Sequence, residues 1–241
     1  KVKSIGEAEL SKLVGAELSI GELQFSPFNQ VVLYDVFIPD AKGDTVFVAD
    51  KIGAGISMYN LLVNRRIVFT YAELIGLDAR LKKERPDGPL NIQFIIDAFS
   101  NKDNKKTSKK FDLKIHNIVI RKSSFSYDVE SAENLSQDRF DINHVKIENF
   151  RSDIALPRLK NNDFLIELKR LSLKEKSGFY LKNLSVEALV SDTCLKMSKL
   201  KVELNNSLIA PEEVQMNING LASIGKCWEN SPIKVSLANN Y

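Results

Sequence analysis

The stretch LKMSKLKV, residues 195–202, carries the pattern on which the predicted fold depends. Two apolar residues flank one polar residue, a polar pair follows, and the apolar–polar–apolar triplet then returns. Because a strand presents alternate residues to one face, the polar pair would move the second triplet to the opposite face. A β-bulge at the pair inserts one extra residue, keeps both triplets on one face and bends the strand. We therefore predict a bulged strand, with a two-residue hairpin at the pair as the alternative.

The same pattern recurs along the chain. The polar pairs begin at 116, 143, 169, 182, 198 and 219, and their unequal spacing indicates a meander rather than a solenoid of fixed period. Only Asn219-Gly220 has the chemistry of a two-residue hairpin turn. A further copy, Leu18/Ile20 and Leu23/Phe25, lies near the N-terminus. The apolar residues of the repeat that we expect to line one face are Ile115, Ile118, Ile120, Leu168, Leu171, Leu184, Val186, Met197, Leu200 and Val202.

The first hundred residues add short helices and a hairpin. Ser4 and Glu7 have the spacing of a capping box at the start of an N-terminal helix. The run 40–44, DAKGD, predicts a hairpin turn in which the glycine adopts a positive φ. Asn91 is predicted to cap a short apolar helix near 91–99.

These elements predict a mainly β fold with short helices, built as an elongated, curved antiparallel sheet that forms a groove. We expect a helix plus β-module over 1–100, a Lys-rich linker loop over 101–110 and a β-meander over 111–241. The lysines of the linker indicate a solvated loop, with contact to phosphate or an anionic membrane as the alternative. An open sheet must cover its apolar face with helices, a second sheet, a partner or lipid.

The composition and motifs argue against an enzyme and against a nucleic-acid binder. The formal net charge is only +3, from 34 Lys+Arg and 31 Asp+Glu. His116 and His144 each lie in a polar pair, where a structural role is favoured over catalysis. No P-loop, zinc-protease or nucleophile-elbow motif is present. Cys194 and Cys227 lack metal-ligand spacing, so we expect no metal and no cofactor, and a disulfide and two free thiols both stay open.

Five segments follow one another in a specific order over the first half of the chain. They are ELSKLVGAEL (9–18), LSIGELQFSPFNQVVLYDVFIPDAKGDTVFVADKI (18–52), ISMYNLLVNRRIVFTYAELIGLDARLKKE (56–84), GPLNIQFIIDAF (88–99) and FDLKIHNIVIRKSSFSYD (111–128). This order of helix, strands, D-x-x-G-D-T hairpin, basic pair and Asn-led helix resembles the N-terminal periplasmic part of the AsmA/TamB-like family of Gram-negative envelope proteins. The remainder of the chain matches only as a generic β-meander.

The resemblance implies a curved sheet whose long groove has an apolar lining, a periplasmic location, and a longer parent protein tethered to the inner membrane. The family's N-terminal transmembrane helix is missing from this chain. The leading hypothesis is a non-enzymatic groove that carries phospholipid acyl chains in lipid transfer or outer-membrane biogenesis. The alternative is an interaction module that pairs client or self strands at a sheet edge, with outer-membrane assembly proteins as partners. A hydrolase with an unrecognised site is the third class.

Overall fold

The computed structural model describes most of the chain in thirteen strands and two short helices. The described residues are 3–4, 7–8, 10–11, 15–26, 29–40, 42–65, 67–100, 111–133, 139–157, 164–191, 193–217 and 233–236. The helices are α1 (Met58–Val63) and α2 (Gln93–Ser100). The strands are β1 (Ser19–Ser26), β2 (Gln30–Pro39), β3 (Thr45–Ile56), β4 (Ile67–Ile75), β5 (Asp78–Lys83), β6 (Phe111–Val129), β7 (His144–Ala155), β8 (Phe164–Glu175), β9 (Tyr180–Val190), β10 (Cys194–Glu203), β11 (Leu208–Ile209), β12 (Glu213–Asn217) and β13 (Ile233–Ser236). The predicted mainly β fold with short helices is confirmed.

The strands belong to one sheet. Their order is β1-β2-β3-β4-β6-β7-β8-β9-β10-β12-β13, with β11 paired to β10 and β5 paired to both β3 and β6. Most pairs are antiparallel, but β5 and β6 run parallel, with Asp78 opposite Ser124 and Lys83 opposite Val129. The sheet is therefore mixed and mostly antiparallel, where the sequence predicted an antiparallel sheet throughout.

Contacts within the chain define two units. Unit 1 comprises Lys1–Ile115, Ile120–Phe150 and Lys174–Phe179, and unit 2 comprises His116–Val119, Arg151–Leu173 and Tyr180–Tyr241. These bounds differ from the predicted modules, and the predicted linker at 101–110 lies outside the described residues. Within the described ranges, no helix is both long enough and apolar enough to cross a bilayer.

The N-terminal segment supports the outer edge of β1. Its described residues, 3–4, 7–8 and 10–11, are helical as predicted. The Ile20 N–H donates to Glu7 Oε1 at 2.9 Å, and the Leu18 N–H donates to Ser11 Oγ at 3.2 Å. Side chains of this segment thus satisfy one backbone donor of β1 and one of the residue just before it.

The β2–β3 hairpin forms where the sequence predicts it. Asp40 Oδ1 accepts hydrogen bonds from the backbone N–H groups of Lys42 and Asp44, at 2.8 and 2.9 Å. Gly43 has a φ of 87°, which a residue without a Cβ adopts at little cost. The aspartate and the glycine therefore specify this turn in different ways.

The predicted cap of the second helix is corrected. Asn91 Oδ1 accepts the Lys82 N–H at 2.9 Å, and its Nδ2 donates to the Arg80 carbonyl at 2.9 Å. The Asn91 N–H also donates to the Lys82 carbonyl at 2.9 Å. Asn91 thus supplies strand-like hydrogen bonds to β5, and α2 begins two residues later at Gln93. The helix near 91–99 is confirmed, but the role of Asn91 was wrong.

Candidate functional site

In unit 1, cross-strand register gathers apolar side chains on one face of β1–β4. Residues that pair across neighbouring strands form a row and lie on the same face of the sheet. Because side chains alternate along a strand, every second row lies on that face. The eight residues of two such rows, which we call the apolar face of unit 1, are Leu23, Leu33, Ile52 and Leu74 in one row and Phe25, Val31, Ala54 and Ala72 in the next.

The opposite face of the same strands is more polar. Lys51 and Ile75 share a row with Tyr34, and Glu73 lies in the next row on that face. Lys51 Nζ lies 2.6 Å from Glu73 Oε2. The hydrogen bond with Glu73 raises the pKa of Lys51, against the opposing effect of burial. The opposite face therefore combines an ion pair with buried apolar residues such as Val32, which lies in the row of Glu73 and is 4% exposed.

The apolar face of unit 1 is incompletely covered. Seven of its eight side chains are half-buried, and Phe25 is 68% exposed. By contrast, the row two positions beyond that of Tyr34 is buried. Its members Ile20, Val36 and Ala49 are at most 4% exposed. Apolar area left in contact with water forgoes about 25 cal/mol per Å². Part of the hydrophobic free energy of this face is thus not realised within the chain.

A row of four residues lies between the buried row and the row of Tyr34. The register of the neighbouring strand pairs places Gly21, Asp35, Asp50 and Gly76 side by side. Asp35 is left-handed, with a φ of 51°. A Cβ on Gly21 would lie 2.7 Å from the Asp35 Cβ, and one on Gly76 would lie 2.0 Å from Asp50 Oδ2. Each aspartate therefore requires glycine on the neighbouring strand.

Unit 2 has an apolar face of its own. Register places Val190, Leu195 and Met216 in one row, and the other members follow in successive rows on the same face. The apolar face of unit 2 consists of Leu184, Val186, Ala188, Val190, Leu195, Met197, Leu200, Val202, Val214 and Met216.

The predicted bulge in β10 is confirmed. Ser198 lies opposite Glu187 but Lys201 lies opposite Ser185, so two residues of β10 oppose Val186 alone. Lys199 adopts a φ of 53° within this shift. The bulge keeps Met197, Leu200 and Val202 on one face, as the sequence predicts. Because β10 continues through the polar pair Ser198-Lys199, the alternative of a hairpin at this pair is excluded.

The apolar face of unit 2 is covered at one end only. Val190, Leu195 and Met216 form a cluster with exposures of 2%, 7% and 1%. Ile166, Ala188 and Met197 pack against this cluster and are half-buried. Beyond the bulge, the apolar side chains that the sequence predicted are all half-buried: Leu184, Val186, Leu200 and Val202.

All ten predicted lining residues are half-buried. Register brings five of them together on the apolar face of unit 2, namely Leu184, Val186, Met197, Leu200 and Val202. The other five lie on β6 and β8 and stay predicted lining residues: Ile115, Ile118, Ile120, Leu168 and Leu171.

Sequence reasoning missed most of the apolar face of unit 1. Only Leu23 and Phe25 belonged to a recognised copy of the pattern. In the run Val31–Ile38, apolar residues occupy both faces, which obscures the alternation. The signal was present in β4, where Ala72 and Leu74 alternate with Tyr71 and Glu73.

Three left-handed residues were also missed. Asp35, Lys122 and Asn149 have φ values of 51°, 51° and 55°, and each is the second residue of a pair between alternating runs. In two of these runs a buried serine, Ser123 or Ser152, takes a place where an apolar residue was expected. A pattern that also allowed serine at its apolar positions would have located Lys122 and Asn149 from the sequence.

His144 has a structural environment. Its Nδ1 lies 2.6 Å from Asp128 Oδ1, and its Nε2 lies 3.2 Å from the Ala132 carbonyl. Both partners are acceptors, so the ring satisfies them best when both nitrogens carry protons. The hydrogen bond to Asp128 is the main reason that the pKa of His144 is raised. The His144 ring thus ties the start of β7 to the end of β6.

The described residues contain no group of three or more His, Cys, Asp or Glu side chains arranged to hold a metal ion. Cys194 is a half-buried thiol whose Sγ lies 3.2 Å from Gln215 Nε2. Cys227 lies outside the described residues, and so does the predicted hairpin at Asn219-Gly220.

A cleft of about 380 Å³ in unit 1 is lined by side chains of both charges. Lys42 Nζ lies 2.7 Å from Glu84 Oε1, and Lys82 Nζ lies 3.9 Å from Asp44 Oδ2. The hydrogen bond to Glu84 raises the pKa of Lys42. The charges of the cleft thus pair with one another, which gives it no preference for a ligand of either sign.

Comparison of the chain with protein-family models, with curated proteins and with solved structures finds no match. The two half-buried apolar faces therefore provide the physical basis for a functional assignment.

Proposed function

We propose that this chain is a non-enzymatic segment of an AsmA/TamB-like envelope protein, and that its apolar sheet faces hold phospholipid acyl chains during lipid transfer or outer-membrane biogenesis. The observation that carries the proposal is the half-buried state of the apolar face of unit 1, opposite a face with the Lys51–Glu73 ion pair. The periplasmic location and the inner-membrane tether of the full-length protein rest on the resemblance of residues 9–128 alone.

An acyl chain fits such a face for a simple reason. It offers no hydrogen-bonding groups, and the apolar face of unit 1 presents only Leu, Ile, Val, Ala and Phe side chains. Each methylene that leaves water for this surface contributes about 0.8 kcal/mol. The headgroup stays in water, so the sheet needs no charged pocket to retain a phospholipid.

Neighbouring residues of β4 provide a matched test. Leu74 and Ile75 are both half-buried, but Leu74 lies on the apolar face and Ile75 lies on the opposite face. The protein is purified without detergent, and bound phospholipid is quantified by extraction and native mass spectrometry. We expect lipid on the wild type and on Ile75→Asn, and about tenfold less on Leu74→Asn. An absence of lipid from all three proteins, also after incubation with phospholipid, would count against the proposal.

A second candidate function is strand pairing at the outer edge of β1. Glu7 and Ser11 accept the outward N–H groups of Ile20 and Leu18, whereas Glu22 and Gln24, further along the strand, are exposed. β1 pairs with β2 alone among the described strands. An edge of this kind accepts an added strand.

The edge hypothesis is tested by Gln24→Pro. Residues two apart point their N–H groups in the same direction, so this change removes an outward donor without removing a bond to β2. We expect it to abolish cross-linked pairing with a client or a second copy while lipid content stays unchanged. Loss of lipid with no change in pairing would reject edge pairing as the function.

A further inference from the structure

The helix α1 presents three apolar side chains to water. Tyr59, Leu62 and Val63 are 69%, 72% and 62% exposed, and none of the six residues of α1 is buried. Ser57 caps the helix through a bond from the Asn60 N–H to its Oγ, and the Asn64 N–H closes the last turn on the Asn60 carbonyl. Met58 and Leu61 are half-buried, but the exposed side chains of Tyr59, Leu62 and Val63 add little to the stability of the helix in water. Their exposure therefore points to a role outside the fold.

Phe25 lies at the same end of unit 1. β1 ends and β2 begins close to it, since Ser26 pairs with Gln30. The Ile56 N–H at the end of β3 donates to the Asn29 carbonyl at 2.7 Å. The Ser57 N–H donates to the Val68 carbonyl at 2.8 Å, which holds the start of α1 against β4. We call Phe25, Tyr59, Leu62, Val63 and Arg65 the end patch.

The segments of β1–β4 and α1 that build this end carry only basic charged residues. The segments that build this end, residues 23–34 and 51–72, contain no Asp or Glu, although the chain has 31. Their charged residues are Lys51, Arg65 and Arg66. Arg65 is exposed and directly follows the helix cap. The end patch is thus apolar and basic, which is complementary to a surface of acyl chains beneath anionic headgroups.

We propose that the end patch docks on the surface of a phospholipid bilayer that contains anionic lipid. Leu62 and Val63 enter the acyl region, Tyr59 lies at the headgroup level and Arg65 contacts phosphate groups. Phe25 belongs both to the end patch and to the apolar face of unit 1, so an acyl chain that leaves the bilayer here meets that face directly. The docking deepens the proposed function, and the path of the acyl chain rests on it.

Vesicle flotation tests the docking. The 241-residue chain is mixed with vesicles of phosphatidylcholine alone, or with about one-third phosphatidylglycerol, and bound protein is measured over a range of salt. We expect tighter binding to the anionic vesicles, and weaker binding as salt rises. Leu62→Ser/Val63→Ser should bind at least tenfold more weakly, because two apolar side chains no longer enter the bilayer. Arg65→Gln should reduce binding to the anionic vesicles about fivefold.

A matched control comes from unit 2. Leu208 and Ile209 are an adjacent apolar pair with exposures of 61% and 52%, so Leu208→Ser/Ile209→Ser removes similar surface elsewhere. This variant should bind vesicles as the wild type does. Equal losses for the two double variants would overturn the docking, as would full binding by Leu62→Ser/Val63→Ser. Far-UV circular dichroism checks that each variant is folded, and Arg65→Gln tests the docking independently of the double variant.

The outcomes separate docking from lipid carriage. Wild-type protein that co-purifies with phospholipid but does not bind vesicles overturns the docking and leaves the proposed function intact. Vesicle binding by a protein that never carries acyl chains retains the docking and overturns the proposed function. A dimer in solution that Leu62→Ser/Val63→Ser abolishes, with no vesicle binding by the wild type, would assign the end patch to a second copy and overturn the docking.

Discussion

The apolar faces of the two units differ in how they are covered. In unit 1 no member of the face is buried, and the core row of Ile20, Val36 and Ala49 lies beyond a row of aspartates and glycines. In unit 2 the face itself includes the buried cluster around Leu195 and Met216. Unit 1 therefore separates its core from its candidate binding surface, whereas unit 2 uses one face for both.

Both units have a left-handed strand residue between rows that differ in burial. In unit 1, Asp35 lies between the buried row of Val36 and the half-buried row of Tyr34. In unit 2, Lys199 lies between the row of buried Val214 and the half-buried row of Val202. The register of the strand pairs shifts by one residue at Lys199 but stays the same on both sides of Asp35. The comparison indicates that buried rows stabilise each unit, so that the half-buried rows are available for a ligand.

Methionine truncation in unit 2 gives the largest expected effect. Met216 is 1% exposed and Met197 is half-buried, and both belong to the same apolar face. Met216→Ala should lower the free energy of unfolding by about 2–5 kcal/mol, because it leaves a cavity. Met197→Ala should cost about 1 kcal/mol, since water already reaches this side chain. Urea denaturation measures both, and equal losses would remove the distinction between core and binding rows.

Alanine at Gly76 tests the boundary in unit 1. The new Cβ would need the space of Asp50 Oδ2 at a φ of 65°, so we expect a loss of about 1–3 kcal/mol. Gly43→Ala is the control, because φ is also positive there but nothing lies within 4 Å of the new Cβ; about 1 kcal/mol is expected. Asp50→Ala should restore most of the difference in a Gly76→Ala background. If Gly43→Ala proves as costly, the contact with Asp50 is unimportant.

Glycine at Lys199 tests the boundary in unit 2. Lys199→Gly removes the strain of a left-handed lysine and should stabilise the protein by about 1 kcal/mol, less the small contribution of its exposed ion pair with Glu187. Lys201→Gly, two residues on in the same strand, should instead destabilise it by about 0.5–1 kcal/mol. Thermal unfolding measures both changes, and destabilisation of similar size in both would show that the bulge carries no strain.

The smallest predicted effect depends on pH and concerns unit 1. The hydrogen bond to Asp128 raises the pKa of His144 above 6.5 in the folded protein. Its contribution to stability is therefore fully present below pH 6.5 and is lost as the pH rises through the raised folded value. Asp128→Asn should lower the pKa of His144 and flatten the decline in stability towards alkaline pH. NMR titration measures this pKa, and a wild-type value at or below 6.5 would contradict the assignment.

Part of this architecture follows from the sequence. The alternation of Met197, Leu200 and Val202 around a polar pair predicts the β10 bulge, because only a bulge keeps these residues on one face. Asp40 and Gly43 specify the β2–β3 turn through local chemistry. These features depend on residues close together in the chain, which is why the pattern predicts them.

Other features depend on distant partners. The parallel pairing of β5 with β6 joins residues 78–83 to 124–129, and no local pattern specifies it. Asp35 is left-handed beside Gly21, yet the run around it is regular enough to be interpreted as an ordinary strand. Asn91 supports β5 instead of a helix because the free backbone groups of Arg80 and Lys82 lie within its reach. Long-range contacts decide each of these cases.

Photo-crosslinking tests the central claim most directly. A benzophenone amino acid is placed at Leu33 or Met197 on the apolar faces, and at Tyr34 or Leu189 on the opposite faces. Each protein is irradiated with labelled phospholipid, and cross-linked lipid is measured. The account predicts label at Leu33 and Met197 and little at Tyr34 and Leu189. Equal labelling of both faces, or no labelling at either apolar position, would contradict it.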